Sequence, residues 1–248
     1  MIRLPQLSPG NLAFPPIESA LEEPNGLLAF GGDLGVARLI EAYTHGIFPW
    51  YSDGQPILWW SPDPRMVFAT ASPHIPRRLS RWLRSCSWTI SVDTAFDDVM
   101  RQCAAPRRDG EGTWITEAMY QAYRSLHREG HAHSLEVRDD GRLIGGIYGV
   151  AVGRMFFGES MFSLADNASK LALLALCKGL SRKGFPLLDA QVSSGHLETL
   201  GGIEMPRDEF SLKIAGLVTQ SSHVGNWGEW FGEMPIRALC RGGLACSD

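Results

Sequence analysis

Two apolar segments of this chain carry polar side chains that could do chemistry. Glu159 lies within the run 155–163, and Asp189 and Gln191 lie within the run 187–192. An isolated carboxylate in an apolar strand costs roughly several kcal/mol to keep ionised, so it must be paired, protonated or facing a polar ligand. Carboxylate and amide groups in such a setting can move a proton or form a buried structural pair. The residues alone leave both interpretations of Asp189 and Gln191 open.

A hairpin is predicted to position Glu159. Segments 143–152 and 155–162 are apolar, and Gly153 and Arg154 between them are typical of a turn. Because side chains alternate along a strand, one face of the second strand is predicted to carry Phe157, Glu159 and Met161. On the strand 187–192, alternation places Asp189 and Gln191 on one face and Leu188, Ala190 and Val192 on the other, and the second face is expected to be buried by packing.

The elements around these strands predict an α+β fold. Their order is a helix capped by Thr116, three strands, a helix over 168–182 capped by Asp166 or Asn167, and the strand 187–192. This order predicts a mostly antiparallel sheet with one strand-helix-strand crossover. It is also the order of the GNAT-type acyltransferase fold.

Residues 1–62 differ from the rest of the chain in composition. They are dense in Pro, Gly and Trp and show one clear helix, over 36–45. The proline-rich segment 61–65 predicts a stiff connector, so we expect a small N-terminal domain over 1–62 and a second domain over 63–248. The tryptophans suit the walls of a pocket, although core packing is the commoner role of aromatic residues.

A basic amphipathic helix is predicted over 75–84. Its arginines, which share one side or lie next to it, are Arg77, Arg78, Arg81 and Arg84. Such a helix presents either an ordinary solvated face or a contact for an anion. No acidic residue lies between Asp63 and Asp93, which favours a polyanionic partner.

Composition indicates an ordinary globular protein. The 248 residues are 44% hydrophobic and 20% charged, and the net charge of −4 permits only a local basic patch. Five cysteines without a Cys-x-x-Cys pair are expected to be scattered free thiols. No apolar run is long enough to span a membrane, so we expect a cytoplasmic protein. His127, His131 and His133 lack the zincin spacing, and no metal site is predicted.

Several longer motifs resemble those of one known family. They are EPNGLLA (23–29), GGDL (31–34), HGIFPW (45–50), WWSPDPR (59–65), EGTWIT (111–116), HAHS (131–134), GESMFS (158–163) and DAQ (189–191). Over roughly residues 1–210, the chain is similar to the leucyl/phenylalanyl-tRNA–protein transferases. Segment 211–248 carries no motif that can be placed.

The resemblance implies an activity. Members of that family move Leu or Phe from aminoacyl-tRNA onto the N-terminal Arg or Lys of a protein and so mark it for N-end-rule degradation; Met is expected as a further donor. The family fold is a small N-terminal domain followed by a GNAT-like domain. Loop 162–167 lacks the glycines that bind a pyrophosphate, so coenzyme A is not expected. No ATP or metal is expected either, because the aminoacyl ester is already activated.

The resemblance also implies roles for the candidate site residues. Gln191 would position or help to deprotonate the acceptor amine, with Asp189 orienting it, and Glu159 would hold the α-ammonium of the donor amino acid. The sequence does not divide the work between Asp189 and Gln191. The apolar donor pocket would be lined by Trp50, Trp114, Ile147 and Met161. The tRNA phosphates would be met by Arg77, Arg78, Arg81 and Arg84.

Two alternatives from other classes fit parts of the pattern. A catalytically silent adaptor would use the arginine helix and the aromatic residues to bind tRNA or a peptide, and Asp189 and Gln191 would only close a buried network. An acetyl-coenzyme A-dependent N-acetyltransferase would share the order of elements. Transfer of a labelled amino acid from tRNA to a peptide distinguishes the three.

Overall fold

The computed structural model describes residues 4–105, 115–232, 234, 236 and 239. The strands are β1 Gln6–Leu7, β2 Leu27–Gly31, β3 Phe48–Pro49, β4 Leu58–Trp60, β5 Arg65–Ala69, β6 Thr89–Val92, β7 Ala132–Asp139, β8 Arg142–Val152, β9 Met155–Ser163, β10 Leu187–Gln191 and β11 Ile203–Met205. The helices are α1 Val36–Thr44, α2 Arg77–Leu83, α3 Phe96–Ala104, α4 Glu117–Arg128, α5 Ala168–Arg182, α6 Gly195–Glu198, α7 Arg207–Val218 and α8 Gly228–Phe231.

The strands form two sheets. The small sheet has the order β1-β2-β4-β3, and the large sheet has the order β11-β5-β10-β9-β8-β7-β6. Within the large sheet, β9 and β10 are parallel and are joined through α5, whereas the other neighbouring pairs are antiparallel. This arrangement confirms the predicted α+β fold, in which a small N-terminal part precedes the residues of the large sheet. The exact domain boundary at residues 62 and 63 stays a prediction.

Helices cover both faces of the large sheet. On one face, α5 packs with nearly its whole length buried, as its run of Leu and Ala requires, and Leu79 and Leu83 of α2 join the same hydrophobic cluster. On the other face lie α1, α3 and α4 together with the small sheet, in a second hydrophobic cluster. The large sheet is therefore the middle layer, and β8, β9 and β10 are central strands.

The beginnings of α4 and α5 differ in how they are capped. The Thr116 hydroxyl accepts a hydrogen bond from the Met119 amide at 3.3 Å, as predicted for α4. Asn167 occupies the cap position of α5, but neither it nor Asp166 provides a side-chain cap: Asn167 has φ 73° and makes no side-chain cap bond. Instead, the Ser163 hydroxyl accepts from the Ser169 amide at 3.2 Å. The predicted position of the cap, Asn167, is confirmed, while the end of β9 supplies the side-chain acceptor.

The C-terminal segment, which carries no recognisable motif, is part of the core. Trp227 is fully buried; its ring stacks on His133 at 3.7 Å, and its amide donates to Asp93 at 2.8 Å. His133 also contacts Asp93 through Nδ1 at 2.8 Å. His133 therefore serves packing, and no group of three or more His, Cys, Asp or Glu that could hold a metal occurs in the described part of the chain.

Candidate active site

The candidate site lies where β9 and β10 stop pairing. Their parallel pairing covers three positions and ends at Asp189 opposite Phe157. Just beyond, β9 has an extra residue relative to β8, since Gly158 pairs with Gly149 and Ser160 pairs with Tyr148. The extra residue is Glu159, so its side chain stands at a β-bulge beside the separating strands.

The bulge corrects one prediction about the faces of β9. Met161 packs against the cluster on the α5 side, whereas Phe157 belongs to the cluster on the opposite side. Strict alternation predicts that Phe157, Glu159 and Met161 share a face, and this is wrong because the extra residue reverses the alternation after Glu159.

Glu159 is surrounded by hydrogen-bond donors. The Tyr43 hydroxyl donates to Oε1 at 2.6 Å, the Tyr123 hydroxyl donates to Oε2 at 2.8 Å, and Gln191 Nε2 donates to Oε1 at 2.8 Å. The two tyrosine hydroxyls also contact each other at 2.5 Å. Burial raises the pKa of Glu159 to about 7, with the Asp189 charge acting in the same direction and the hydrogen bonds opposing it.

Asp189 is committed to a buried ion pair. Its two carboxylate oxygens accept from Nε and Nη2 of Arg65 at 2.9 and 2.7 Å, and both side chains are fully buried. Arg65 also donates to the Gly46 carbonyl at 2.8 Å, and its guanidinium lies between the rings of Phe48 and Phe210, 4.9 and 4.8 Å from their centroids. Asp189 is therefore not exposed to a substrate in this structure.

Gln191 links the ion pair to Glu159. The backbone N–H of Gln191 donates to Asp189 Oδ1 at 2.9 Å. The backbone φ of Gln191 is 64°, in the left-handed region that non-glycine residues seldom occupy. Pairing with β5 is irregular between Asp189 and Gln191, so Ala190 is an extra residue there. The predicted burial of Val192 on the opposite face is wrong: its side chain is 47% exposed, because it lies past the end of β10.

The predicted donor pocket is only partly assembled by the described residues. Ile147 and Met161 are cross-strand partners and pack with the cluster on the α5 side. Trp50 is 43% exposed and packs on Trp60, which belongs with the opposite cluster. Trp114 lies outside the described residues. The pocket as a whole stays a prediction.

The predicted basic helix exists as α2. It runs over Arg77–Leu83, shorter than the predicted 75–84, because prolines bound its start and Arg84 ends it. Leu79 and Leu83 are buried, and the four arginines of the prediction are exposed: Arg77, Arg78, Arg81 and Arg84.

Sequence reasoning missed three residues that complete the site. They are Tyr43 on α1, Tyr123 on α4, and Arg65, which belongs to the segment 61–65 that was predicted to be a connector. The sequence does mark Arg65 in the same way as Glu159, because Arg65 is a charged residue at the first position of the apolar strand Arg65–Ala69. The sequence does not mark the tyrosines, because tyrosines on the apolar faces of helices are ordinary core residues.

Glu159 and Gln191 place a buried carboxylate and an amide together where two central strands separate. Such groups can accept a proton and orient an amine, so the site suits a transferase. A family model described as leucyl/phenylalanyl-tRNA protein transferase matches residues 67–215, and one for the N-terminal domain of the same family matches residues 32–63. The chain belongs to that family, and the resemblance seen in its motifs is confirmed.

Similar proteins from two bacteria agree with the family match. The chain is 56% identical over 228 residues to the leucyl/phenylalanyl-tRNA–protein transferase of Xanthomonas oryzae pv. oryzae (strain MAFF 311018), covering 92% of this chain and 91% of the relative. It is 53% identical over 233 residues to that of Xylella fastidiosa (strain M12), covering 94% and 96%. Among solved structures, FemX matches with a TM-score of 0.42 and 12% identity, over 80% of this chain and 68% of FemX.

No helix within the described ranges is long and apolar enough to cross a membrane. None of the three cysteines in those ranges, Cys86, Cys103 and Cys177, forms a disulfide. The remaining two cysteines, Cys240 and Cys246, lie outside the described residues.

Proposed function

We propose that this protein transfers Leu or Phe, and also Met, from aminoacyl-tRNA to the N-terminal Arg or Lys of proteins. Family membership supports the donor and the reaction, and the motifs that carry the resemblance support the acceptor. The modified proteins would enter N-end-rule degradation. The reaction places the protein in the cytoplasm, where charged tRNA is available.

The chemistry needs no cofactor beyond the two substrates, because the aminoacyl ester already carries its activation energy. The protein must hold the acceptor amine beside the ester carbonyl, receive a proton, and stabilise the charge that develops on the carbonyl oxygen. These tasks call for a few fixed polar groups in a site that excludes water. The cluster of Glu159 and Gln191 at the separation of β9 and β10 supplies such groups.

One observation carries the assignment of Gln191. Asp189 fixes its backbone and Glu159 receives its side-chain N–H, so the amide oxygen is the atom that we assign to the acceptor amine. Asp189 is fully buried against Arg65, and we therefore assign it the role of positioning Gln191. This divides the roles of Asp189 and Gln191, which sequence reasoning left undivided.

The donor side chain is proposed to bind beside the same strands. Ile147 and Met161 are neighbours on β8 and β9 close to the bulge at Glu159, and the family motifs add Trp50 and Trp114. In such an apolar pocket, a difference of one methylene is worth about 1 to 3 kcal/mol. Leu, Phe and Met esters should all react, whereas Asp and Lys esters should be excluded by the cost of burying a charge.

The tRNA is proposed to contact α2. Arg77, Arg78, Arg81 and Arg84 are exposed along it, and the helix contains no acidic residue. Guanidinium groups pair well with phosphate oxygens. A local basic face is consistent with a net charge of −4 for the whole chain, because binding depends on the field near the patch.

A transfer assay tests the proposed function. The protein is incubated with tRNA charged with labelled Leu and with a peptide that begins with Arg; a peptide of the same composition that begins with Glu is the control. Label in the Arg peptide alone is expected. Binding of charged tRNA without transfer indicates the adaptor, and acetylation of the peptide from acetyl-coenzyme A indicates the acetyltransferase; either result contradicts the proposal.

A further inference from the structure

Three helices lie on the same face of the large sheet as the proposed donor pocket. Leu79 of α2, Leu171 of α5 and Leu197 of α6 belong to or pack against one hydrophobic cluster. Ile147 and Met161, which are proposed to bind the donor side chain, are in contact with that cluster too. The tRNA contacts proposed for α2 and the proposed donor pocket are therefore on the same side of the sheet.

The short helix α6 lies between the end of β10 and the start of α2. The Ser194 hydroxyl caps α6 by accepting from the Leu197 amide at 3.3 Å. Just past α6, the Leu200 carbonyl accepts from the His74 amide at 2.9 Å. Because His74 belongs to the segment that leads into α2 at Arg77, α6 connects the edge of the candidate site to the arginine helix.

The start of α5 lies close to the proposed donor pocket. A Cβ on Gly145 of β8 would lie 2.6 Å from the Cβ of Ala168, the first residue of α5. Gly145 precedes Ile147 by two positions along β8, which is roughly 7 Å in a strand. A group on the first turn of α5 is therefore near the place where the donor ester is proposed to lie.

Two basic side chains meet at this corner of the molecule. Lys170 lies in the first turn of α5, and His196 lies on α6. Partial burial and the charge of the nearby Lys170 lower the pKa of His196. The first turn of α5 contains no acidic residue, although the helix dipole favours negative charge there.

The positive charge at this corner has no protein counter-charge among the described residues. Asp166, just before α5, and Glu198 on α6 are exposed. Neither forms an ion pair with Lys170 or His196, and no other carboxylate in the described ranges does so. Neighbouring basic groups repel each other when both are charged, and an anion that contacts both offsets this repulsion. The corner is therefore suited to an anionic ligand.

We propose that Lys170 and His196 bind phosphates of the single-stranded 3′ end of the charged tRNA, between the arginines of α2 and the reacting ester. The inference rests on the function proposed above and assigns two further binding residues to it. Because the ester joins the amino acid to the terminal ribose, the last phosphates of the tRNA must lie next to the donor pocket. The arginines of α2 would then hold the double-stranded part of the tRNA, which is further from the ester.

Three donors of increasing size test this assignment. Phenylalanyl-adenosine carries the ester without any phosphate. The phenylalanyl ester of CpCpA adds the phosphates of the 3′ end, and Phe-tRNA adds the double-stranded stem. For each donor, kcat/KM is measured for transfer to a peptide that begins with Arg. The ratio between two donors on one preparation of a variant does not depend on the fraction of that protein that is folded.

Lys170→Gln and His196→Gln should each lower the ratio of kcat/KM for the CpCpA ester to that for phenylalanyl-adenosine, by roughly tenfold. Lys170→Arg should keep most of this ratio, because a guanidinium also pairs with phosphate. Replacing the four arginines of α2 by Ala should instead lower the ratio for Phe-tRNA to the CpCpA ester. Arg182→Ala is the matched control, because Arg182 is exposed at the opposite end of α5.

The outcomes separate this inference from the function on which it rests. If the wild-type protein transfers nothing from Phe-tRNA to the Arg peptide, the proposed function fails. If transfer occurs but neither Gln variant lowers the ratio for the CpCpA ester, Lys170 and His196 do not bind the phosphates, and only the inference fails. An equal loss in Arg182→Ala would also overturn the inference, because the effect would then reflect the net charge of the protein.

Discussion

At the scale of single residues, Glu159 and Gln191 are the proposed reacting groups, and they are held by side chains from other parts of the chain. Glu159 and Gln191 were found because polar side chains stand out in apolar strands. Their roles depend on residues far away in the chain: Tyr43 lies 116 residues from Glu159, and Arg65 lies 124 residues from Asp189. No local pattern records such contacts, so the division of work between Asp189 and Gln191 came only from the fold.

Replacing Gln191 tests the catalytic assignment directly. Gln191→Ala removes the amide but keeps the backbone N–H that donates to Asp189, so the Arg65 ion pair is left intact. Turnover should fall by roughly 10², the scale on which positioning and oxyanion contributions are lost. The thermal midpoint should change little. Single-turnover transfer from Phe-tRNA and the thermal midpoint are measured on the same variant. A near-normal rate per folded molecule would show that the role of Gln191 is structural only.

The raised pKa of Glu159 predicts a dependence of stability on pH. Its folded-state pKa of about 7 exceeds the ordinary value of 4.5, so the folded protein binds this proton more tightly than the unfolded chain does. The contribution is fully present below about pH 4.5 and is lost as pH rises to about 7. The unfolding free energy of the wild type relative to Glu159→Gln should therefore fall by about 3 kcal/mol over that interval. Urea unfolding of both proteins at pH 5, 6, 7 and 8 measures the difference, which would stay constant if Glu159 titrated normally.

At the scale of elements, the sequence predicted what local patterns encode. The helix over 168–182, the hairpin of β8 and β9 and the Thr116 cap all appear where expected. The wrong predictions concern the face of Met161 and the burial of Val192, and both depend on where a strand becomes irregular. Such irregularities are decided by contacts between strands, which one strand's sequence does not reveal.

Gly149 makes one such contact between β8 and β9, and a substitution there tests its importance. A Cβ at this position would lie 2.2 Å from the Phe157 carbonyl oxygen and 2.5 Å from the Phe156 ring, so Gly149→Ala must displace β9. We expect a loss of about 1 to 3 kcal/mol in stability and a larger loss of transfer, because the bulge carries Glu159. Gly216→Ala is the control, since a Cβ there meets no atom within 4 Å. Calorimetry and transfer assays on both variants check the prediction, and normal activity in Gly149→Ala would contradict it.

The arginines of α2 give a second prediction at this scale. Each Arg→Ala substitution at Arg77, Arg78, Arg81 or Arg84 should weaken tRNA binding and reduce the slope of log affinity against log salt by about 0.7 to 0.9. The preference between Leu and Phe should not change. Arg142→Ala, an exposed arginine on β8, serves as the control. If the variant with all four substitutions kept the wild-type slope, the arginines of α2 would form an ordinary solvated face that does not contact tRNA.

At the scale of the whole molecule, the site depends on parts that are distant in sequence. Arg65 connects Asp189 of the large sheet to Gly46 and Phe48 of the N-terminal part and to Phe210 of α7. Tyr43 reaches Glu159 from the N-terminal part as well. The proposed catalytic cluster is therefore completed only when the N-terminal residues pack against the large sheet, which explains why no motif within one domain predicts it.

The Arg65 and Asp189 ion pair permits a prediction that separates stability from positioning. Asp189→Asn should cost about 3 to 5 kcal/mol, because it leaves a fully buried guanidinium without its counter-charge. Replacing both residues by apolar ones, Arg65→Met with Asp189→Leu, should recover much of that loss, since no charge is then buried alone. The rate of transfer should not recover together with stability. Without Asp189, the backbone N–H of Gln191 has lost the carboxylate that holds Gln191 in its left-handed conformation. Urea unfolding and single-turnover transfer of both variants measure the two effects. If transfer per folded molecule returned together with stability, the ion pair would serve the fold alone, and Gln191 would be positioned by other contacts.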